Sequence, residues 1–231
     1  MDGREDKMGF DDPSKGVWRW INGHAVFIKN KESNLKSALE EKYKPKHMVM
    51  SGVDVESVKE EYLRNATPGK GRFIRQSGSQ MFTFKKRKRD EISTETKHAF
   101  WLINTFGGDV MLLRENKSKK NIYIYPPGAK MPDLLWRFNG EDGYWDIKEP
   151  TKPNSGEDIF RHGLKQIMVP YGQAGGHPGG LLIDLQKVNG EKSIEGTAKL
   201  VANQFRQTNL ESLDVIIKES DSEFEVFRFK K

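Results

Sequence analysis

The chain has 231 residues, enough for one large or two small domains, and at 35% hydrophobic and 31% charged it is polar but too aromatic and too periodic to be disordered. It has no cysteine, which excludes disulfides and thiolate metal sites, and no apolar run approaches the ~18 residues of a membrane span. The formal net charge of +6 is uneven: residues 1–90 carry 20 Lys/Arg against 13 Asp/Glu, which suits a polyanionic partner such as RNA or DNA.

Residues 1–16 are polar and read as a leader without the apolar core of a signal peptide. Val17–Ile21 and Ala25–Ile28 flank Asn22-Gly23, a strong hairpin signal. Helical spacing follows over Ser33–Tyr43, and a second short helix is predicted over Asp54–Arg64. Gly71–Phe84 reads as a ragged hairpin or an extended segment. Lys85, Lys86, Arg87, Lys88 and Arg89 are five consecutive basic residues, expected to be a solvated linker with an electrostatic role toward phosphates. A domain boundary is placed at 85–92, between a small basic α+β accessory domain (1–90) and a second domain (91–231).

The second part opens on a helix capped by Ser93 or Thr94, with Ala99, Leu102, Ile103 and Phe106 on its apolar face and Gly107-Gly108 as its stop. Strand Asp109–Leu113 follows, then an extended run at Ile122–Tyr125, the Pro132-Asp133 segment ending at Phe138, a turn at Asn139–Gly143, and strand Tyr144–Lys148. A helix over Glu157–Val169, a Gly-rich loop, a buried strand Gly179–Leu185, a helix at 196–207 and strands Leu213–Ile217 and Phe224–Phe229 complete the chain. The helix before Gly179 implies a crossover to a parallel strand. The expected fold class is α/β, a mixed central sheet flanked by helices.

The stretch from Pro132 to Pro150 carries the chemistry. Asp133 precedes Asp146 by thirteen residues, and Asp146 and Lys148 share one side of a strand while Ile147 takes the other. Two acids and a lysine converging on a hairpin suit a divalent cation such as Mg2+ or Mn2+, with Asp133, Asp146 and the Ile147 carbonyl as ligands and Lys148 beside them. That combination serves phosphodiester hydrolysis, in which Lys148 neutralises developing charge or orients the attacking water. Read as bare spacing, Pro-Asp is also an ordinary turn dipeptide and D-x-K an ordinary solvent face. Gln166 sits among Leu164, Ile167 and Met168 where a polar side chain faces the site. His98 and Lys152 are candidate phosphate contacts.

The order of these elements and residues resembles the PD-(D/E)XK nuclease superfamily, with Glu95 matching its acidic helix residue, Pro132-Asp133 its Pro-Asp, and Asp146-Ile147-Lys148 its D/E-x-K. The run from Lys97 to Leu113, M-P-D-L-L-W, W-D-I-K, L-K-Q-I and G-G-L-L-I-D-L are similar to the C-terminal tRNA-nuclease toxins of contact-dependent growth inhibition and related polymorphic toxins, over residues 92–231. The segment V-W-R-W-I-N-G-H-A-V-F-I-K resembles one found ahead of toxin domains on phage-like minor head proteins. The resemblance implies a metal-dependent ribonuclease acting on tRNA, with Glu95 joining the metal ligands. It also implies an immunity protein as partner and delivery into the cytoplasm of a competing bacterium, or otherwise a cytoplasmic protein. The superfamily includes DNA cutters, so a DNA-processing nuclease of a mobile element stays open, as does a non-catalytic nucleic-acid-binding module.

Overall fold

A computed structural model describes residues 16–21, 24–29, 46–75, 86–113, 130–152, 156–168, 179–190 and 193–231. The chain divides into two compact units, Met1–Lys44 and Pro45–Lys231. In the first, β1 (Gly16–Ile21) pairs antiparallel with β2 (His24–Lys29), Ile21 opposite His24; the turn expected at Asn22-Gly23 lies outside the described residues. The helix expected at Ser33–Tyr43 lies outside the described residues.

The second unit is built on a mixed nine-stranded sheet. Its strands are β3 (His47–Met50), β4 (Val53–Ser57), β5 (Phe73–Arg75), β6 (Asp109–Leu112), β7 (Leu134–Phe138), β8 (Glu141–Lys148), β9 (Gly179–Asp184), β10 (Ser212–Lys218) and β11 (Phe224–Lys230). Across the sheet they run β3-β4-β11-β10-β9-β8-β7-β6-β5. The pairs β8–β9, β9–β10 and β5–β6 are parallel and the others antiparallel. The four described helices are α1 (Lys59–Asn65), α2 (Lys86–Thr105), α3 (Gly156–Met168) and α4 (Ile194–Phe205). Among the described residues, the order from α2 onward is helix, three strands, helix, strand, and the crossover through α3 joins parallel neighbours, as the helix before Gly179 implied.

Strand alternation divides the apolar residues into two cores. Val110, Leu112, Leu134, Trp136, Trp145, Ile147, Leu182, Ile216 and Val226 pack with Tyr62 of α1 and with Ala99, Leu102, Ile103 and Phe106 at α2. Leu181, Ile183, Val215, Ile217, Phe227, Phe229, Val53 and Val55 pack with Phe160, Leu164 and Ile167 of α3 and with α4. Central strands buried on both faces explain the continuous apolar run at Gly179–Leu185.

Three expectations are corrected. The boundary at 85–92 is not where the units divide. Residues 47–75 supply β3, β4, α1 and β5 to the large sheet, and β4 pairs with β11 at the far end of the chain, a contact invisible to local composition. Val53–Ser57 is a strand rather than the start of a helix, because Val-Asp-Val alternates buried and exposed. The basic run is no linker: Lys86–Arg89 open α2, so Ser93 and Thr94 lie inside that helix rather than at its start. Lys85 lies outside the described residues.

The end of α2 fits its sequence signal. Gly107 and Gly108 have φ of 85° and 84°, and the Gly107 N–H donates to Leu102 and Ile103 carbonyls, ending the helix. Nearby, at the starts of β9 and β10, Tyr62 Oη donates to Asp214 Oδ2 (2.7 Å), while Arg228 clamps both Asp214 and Glu61. These residues line a cavity of about 380 Å3 with Phe138, Asp142 and Gly179. Tyr62→Phe is expected to cost about 1.5–3 kcal/mol, the range for a hydrogen bond to a charged group, read by urea unfolding.

Candidate active site

The β7–β8 hairpin turns the sequence spacing into a site. Asn139 and Gly140, with φ of 51° and 83°, form a two-residue turn, and Phe138 pairs with Glu141. The strand therefore starts three residues earlier than the expected Tyr144. Counting back along the register, Leu134 lies opposite Trp145, so Asp133 comes opposite Asp146. A separation of thirteen residues is what a turn at this position closes into direct opposition. Leu134, Trp136, Trp145 and Ile147 fill the α2-side core, so alternation sends Asp133, Asp146 and Lys148 to the α3 side.

Asp133 Oδ2 accepts the Ile147 N–H at 2.7 Å, tying the strand start to β8. Asp146 is 2% exposed, and the Lys148 ammonium lies against its Oδ2. Burial, then the Asp133 charge beside it, pushes the Asp146 carboxyl up to about 8, although Lys148 opposes this. Burial also raises Asp133, against the Lys148 charge and the Ile147 N–H. A buried carboxylate and a half-buried one facing a single ammonium are one positive charge short. This donor set, hard oxygens with unmet negative charge, fits a Mg2+- or Mn2+-type cation.

The other expected site residues are distributed as follows. Gln166, on α3, accepts the Met131 N–H at 2.9 Å and so braces the chain just ahead of Pro132-Asp133. Ile147 offers its N–H to Asp133 and sends its side chain into the α2-side core. Glu95 is half-buried on α2, one turn before His98 and on the helix that packs against the opposite side of the sheet from Asp146. Lys152 is exposed four residues past Lys148. His98 is corrected: it is fully buried and engaged by carboxylates, leaving no surface for a phosphate.

His98 belongs to a second charged cluster on the α2 side, back to back with the first. Consecutive residues of the β8 end divide between them, Lys148 to one face and Glu149 to the other. His98 Nε2 lies 3.1 Å from Glu149 Oε1 and 3.5 Å from Asp184 Oδ2. Ligand atoms of His98, Glu149 and Asp184 all fall within 4.8 Å of one another, near enough for a single metal ion. The charge is already met there, however. Lys218, fully buried, lies 3.3 Å from Asp184 and 2.7 Å from Asp221, with its ammonium 4.8 Å from the centre of the Trp101 ring. Lys187 pairs with Glu149, and Lys97 lies 3.9 Å from Asp184. Three lysines match three carboxylates, while burial lowers the His98 pKa and favours neutral imidazole. The cluster therefore locks α2 to the ends of β8, β9 and β10 without requiring a metal. No sequence motif joins Glu149, Asp184 and Lys218, so only the fold reveals them as one cluster.

Comparison with protein families, curated proteins and solved structures returned no match. The protein is thus defined by its architecture: a mixed α/β fold with two charged clusters at the carboxyl ends of neighbouring parallel strands. No helix among the described residues is long and apolar enough to cross a membrane.

Proposed function

We propose that the protein is a divalent-metal-dependent nuclease of the PD-(D/E)XK type. The observation that carries the reading is the opposition of Asp133 and Asp146 across β7–β8, with Lys148 on the same face and the set one positive charge short. The helix, three-strand, helix, strand order around it agrees with that superfamily's arrangement.

Asp133 and Asp146 would hold the cation, which when bound supplies charge neutralisation at the phosphate and lowers the pKa of water. The chain's own groups prepare the rest. The Ile147 N–H fixes Asp133, and Gln166 fixes the segment before it. Lys148 Nζ keeps a positive charge beside Asp146 where a phosphodiester gains negative charge during attack, which stabilises that charge more than the resting ester.

The likeness of Lys97–Leu113, W-D-I-K and G-G-L-L-I-D-L to tRNA-nuclease toxins, together with the basic N-terminal part, makes tRNA the proposed substrate. The same likeness makes an immunity protein the proposed partner and the cytoplasm of a target bacterium the proposed place of action.

The test is digestion of total tRNA, plasmid and single-stranded DNA by the purified chain, with Mg2+ or Mn2+ and with excess chelator. Cleavage of tRNA that stops in chelator is expected, with Lys148→Ala and Asp133→Ala slower by roughly 10²–10³-fold or more. Preference for plasmid would move the substrate to DNA. Undiminished cleavage by Lys148→Ala, or in chelator, would remove the mechanism, and binding without turnover under either metal would leave a nucleic-acid-binding module.

A further inference from the structure

We propose that Gly163 is a positioning residue for Lys148: the bare patch it makes on α3 is the slot that holds the ammonium against Asp146. The importance of Lys148 to turnover rests on the nuclease reading above; the slot itself rests on packing.

Gly163 lies in the middle of α3, where glycine weakens a helix relative to alanine. Its backbone does not call for glycine, since it is not among the residues with positive φ. The requirement is spatial. A methyl group placed on Gly163 falls 2.9 Å from Lys148 Cε, 2.9 Å from Leu181 Cδ2 and 3.2 Å from Asp146 Oδ2. Without that methyl, the helix sits directly on the lysine stem and on the carboxylate it pairs with.

The three neighbours differ in how readily they yield. Leu181 is fully enclosed in the core between α3, α4 and the sheet. Asp146 is buried at 2% exposure. Lys148 has a flexible stem, and its side chain is 18% exposed, so it has solvent to move into. A side chain at 163 therefore displaces the lysine, while its contact with Leu181 overpacks the core without unfolding it. One turn further along the same helix, Gln166 braces Met131 ahead of Asp133. Gly163 and Gln166 share a helix face, so α3 positions both the lysine and the approach to the first aspartate.

The experiment compares wild type with Gly163→Ala and with Gly163→Ala/Leu181→Val, the second variant removing the Leu181 clash. Gly163→Ala is expected to melt somewhat below wild type because of the Leu181 clash, and the double variant to melt closer to wild type. Its kcat should fall roughly tenfold to a hundredfold, as for an Ångström-scale misplacement of a working group. KM for nucleic acid should stay within about twofold, because substrate binding is not what the slot controls. The double variant should not recover turnover. A crystal structure of Gly163→Ala should show Lys148 Nζ moved away from Asp146. Wild-type kcat in Gly163→Ala, full recovery in the double variant, or an unmoved Lys148 would each overturn the proposal. If the wild-type chain cleaves no nucleic acid, the nuclease reading falls by itself, and the position of Lys148 in the variant still decides the role of Gly163.

Discussion

Asp146→Asn should abolish cleavage while making the metal-free protein more stable. The two effects share one cause. Asp146 is a buried carboxylate placed beside Asp133, with only Lys148 to offset it, and its pKa is pushed up to about 8. An unfolded aspartate titrates near ~3.9. Between those values the folded chain holds a proton that the unfolded chain has released, so raising the pH favours unfolding. In chelator, wild-type stability should therefore fall as the pH rises from about 4 to about 8. Asn keeps the shape, removes the charge and should flatten that dependence, with melting temperatures across this range as the measurement. Saturating Mg2+ should reverse the wild-type loss, by about 2.7 kcal/mol at a hundred times Kd, and do far less for the variant. Turnover should drop by roughly 10²–10³-fold or more, as when a group stabilising transition-state charge is lost. An Asp146→Asn protein that cleaves normally, or that is less stable than wild type at pH 8 in chelator, would contradict this account.

Lys218→Met should have the largest effect on folding. Lys218 is fully buried, and its removal leaves Asp184, itself 2% exposed, without its nearest ammonium. Breaking a buried pair from one side costs about 3–5 kcal/mol, because the surviving charge has neither water nor partner. Asp221 suffers less, since its side chain is 61% exposed. The remaining cation near Asp184 is Lys97 at 3.9 Å, with His98 Nε2 at 3.5 Å. Burial holds the His98 pKa down, and the Lys218 charge adds to that; removing Lys218 lifts the second restraint. Histidine protonation can then replace part of the missing charge in acid. The loss should be full at pH 8 and smaller at pH 6, measured by urea unfolding at both. Equal losses at the two pH values would show that His98 takes no part in the balance.

The two clusters show how far local reasoning reaches. The first was legible because one hairpin contains it. A turn dipeptide, two strands and a spacing of thirteen residues place Asp133 opposite Asp146, and period-two alternation puts Lys148 on their face. The second joins α2, β8, β9 and β10, residues up to 124 positions apart, as with Lys97 and Asp221. No local period announces that arrangement.

The same division runs through the fold. Apolar periodicity by itself determined α3, β9, α4, β10 and β11 to within a few residues, because each is a local run facing a core. It also put β7 and β8 on one hairpin, but their register came from the structure, where the expected turn at Asn139–Gly143 closes within Asn139-Gly140. Tertiary structure alone decided that residues 47–75 join the large sheet, where β4 lies against β11 and β5 against β6. It alone buried His98 and matched its carboxylate neighbours with lysines. It alone gave Gly163 a reason, because a missing methyl group acquires meaning only when another strand's lysine lies across it. The physical reason is common to all three: strand pairing, charge compensation and close packing act between residues distant in sequence, whereas amino-acid pattern reports directly only on neighbours along the chain.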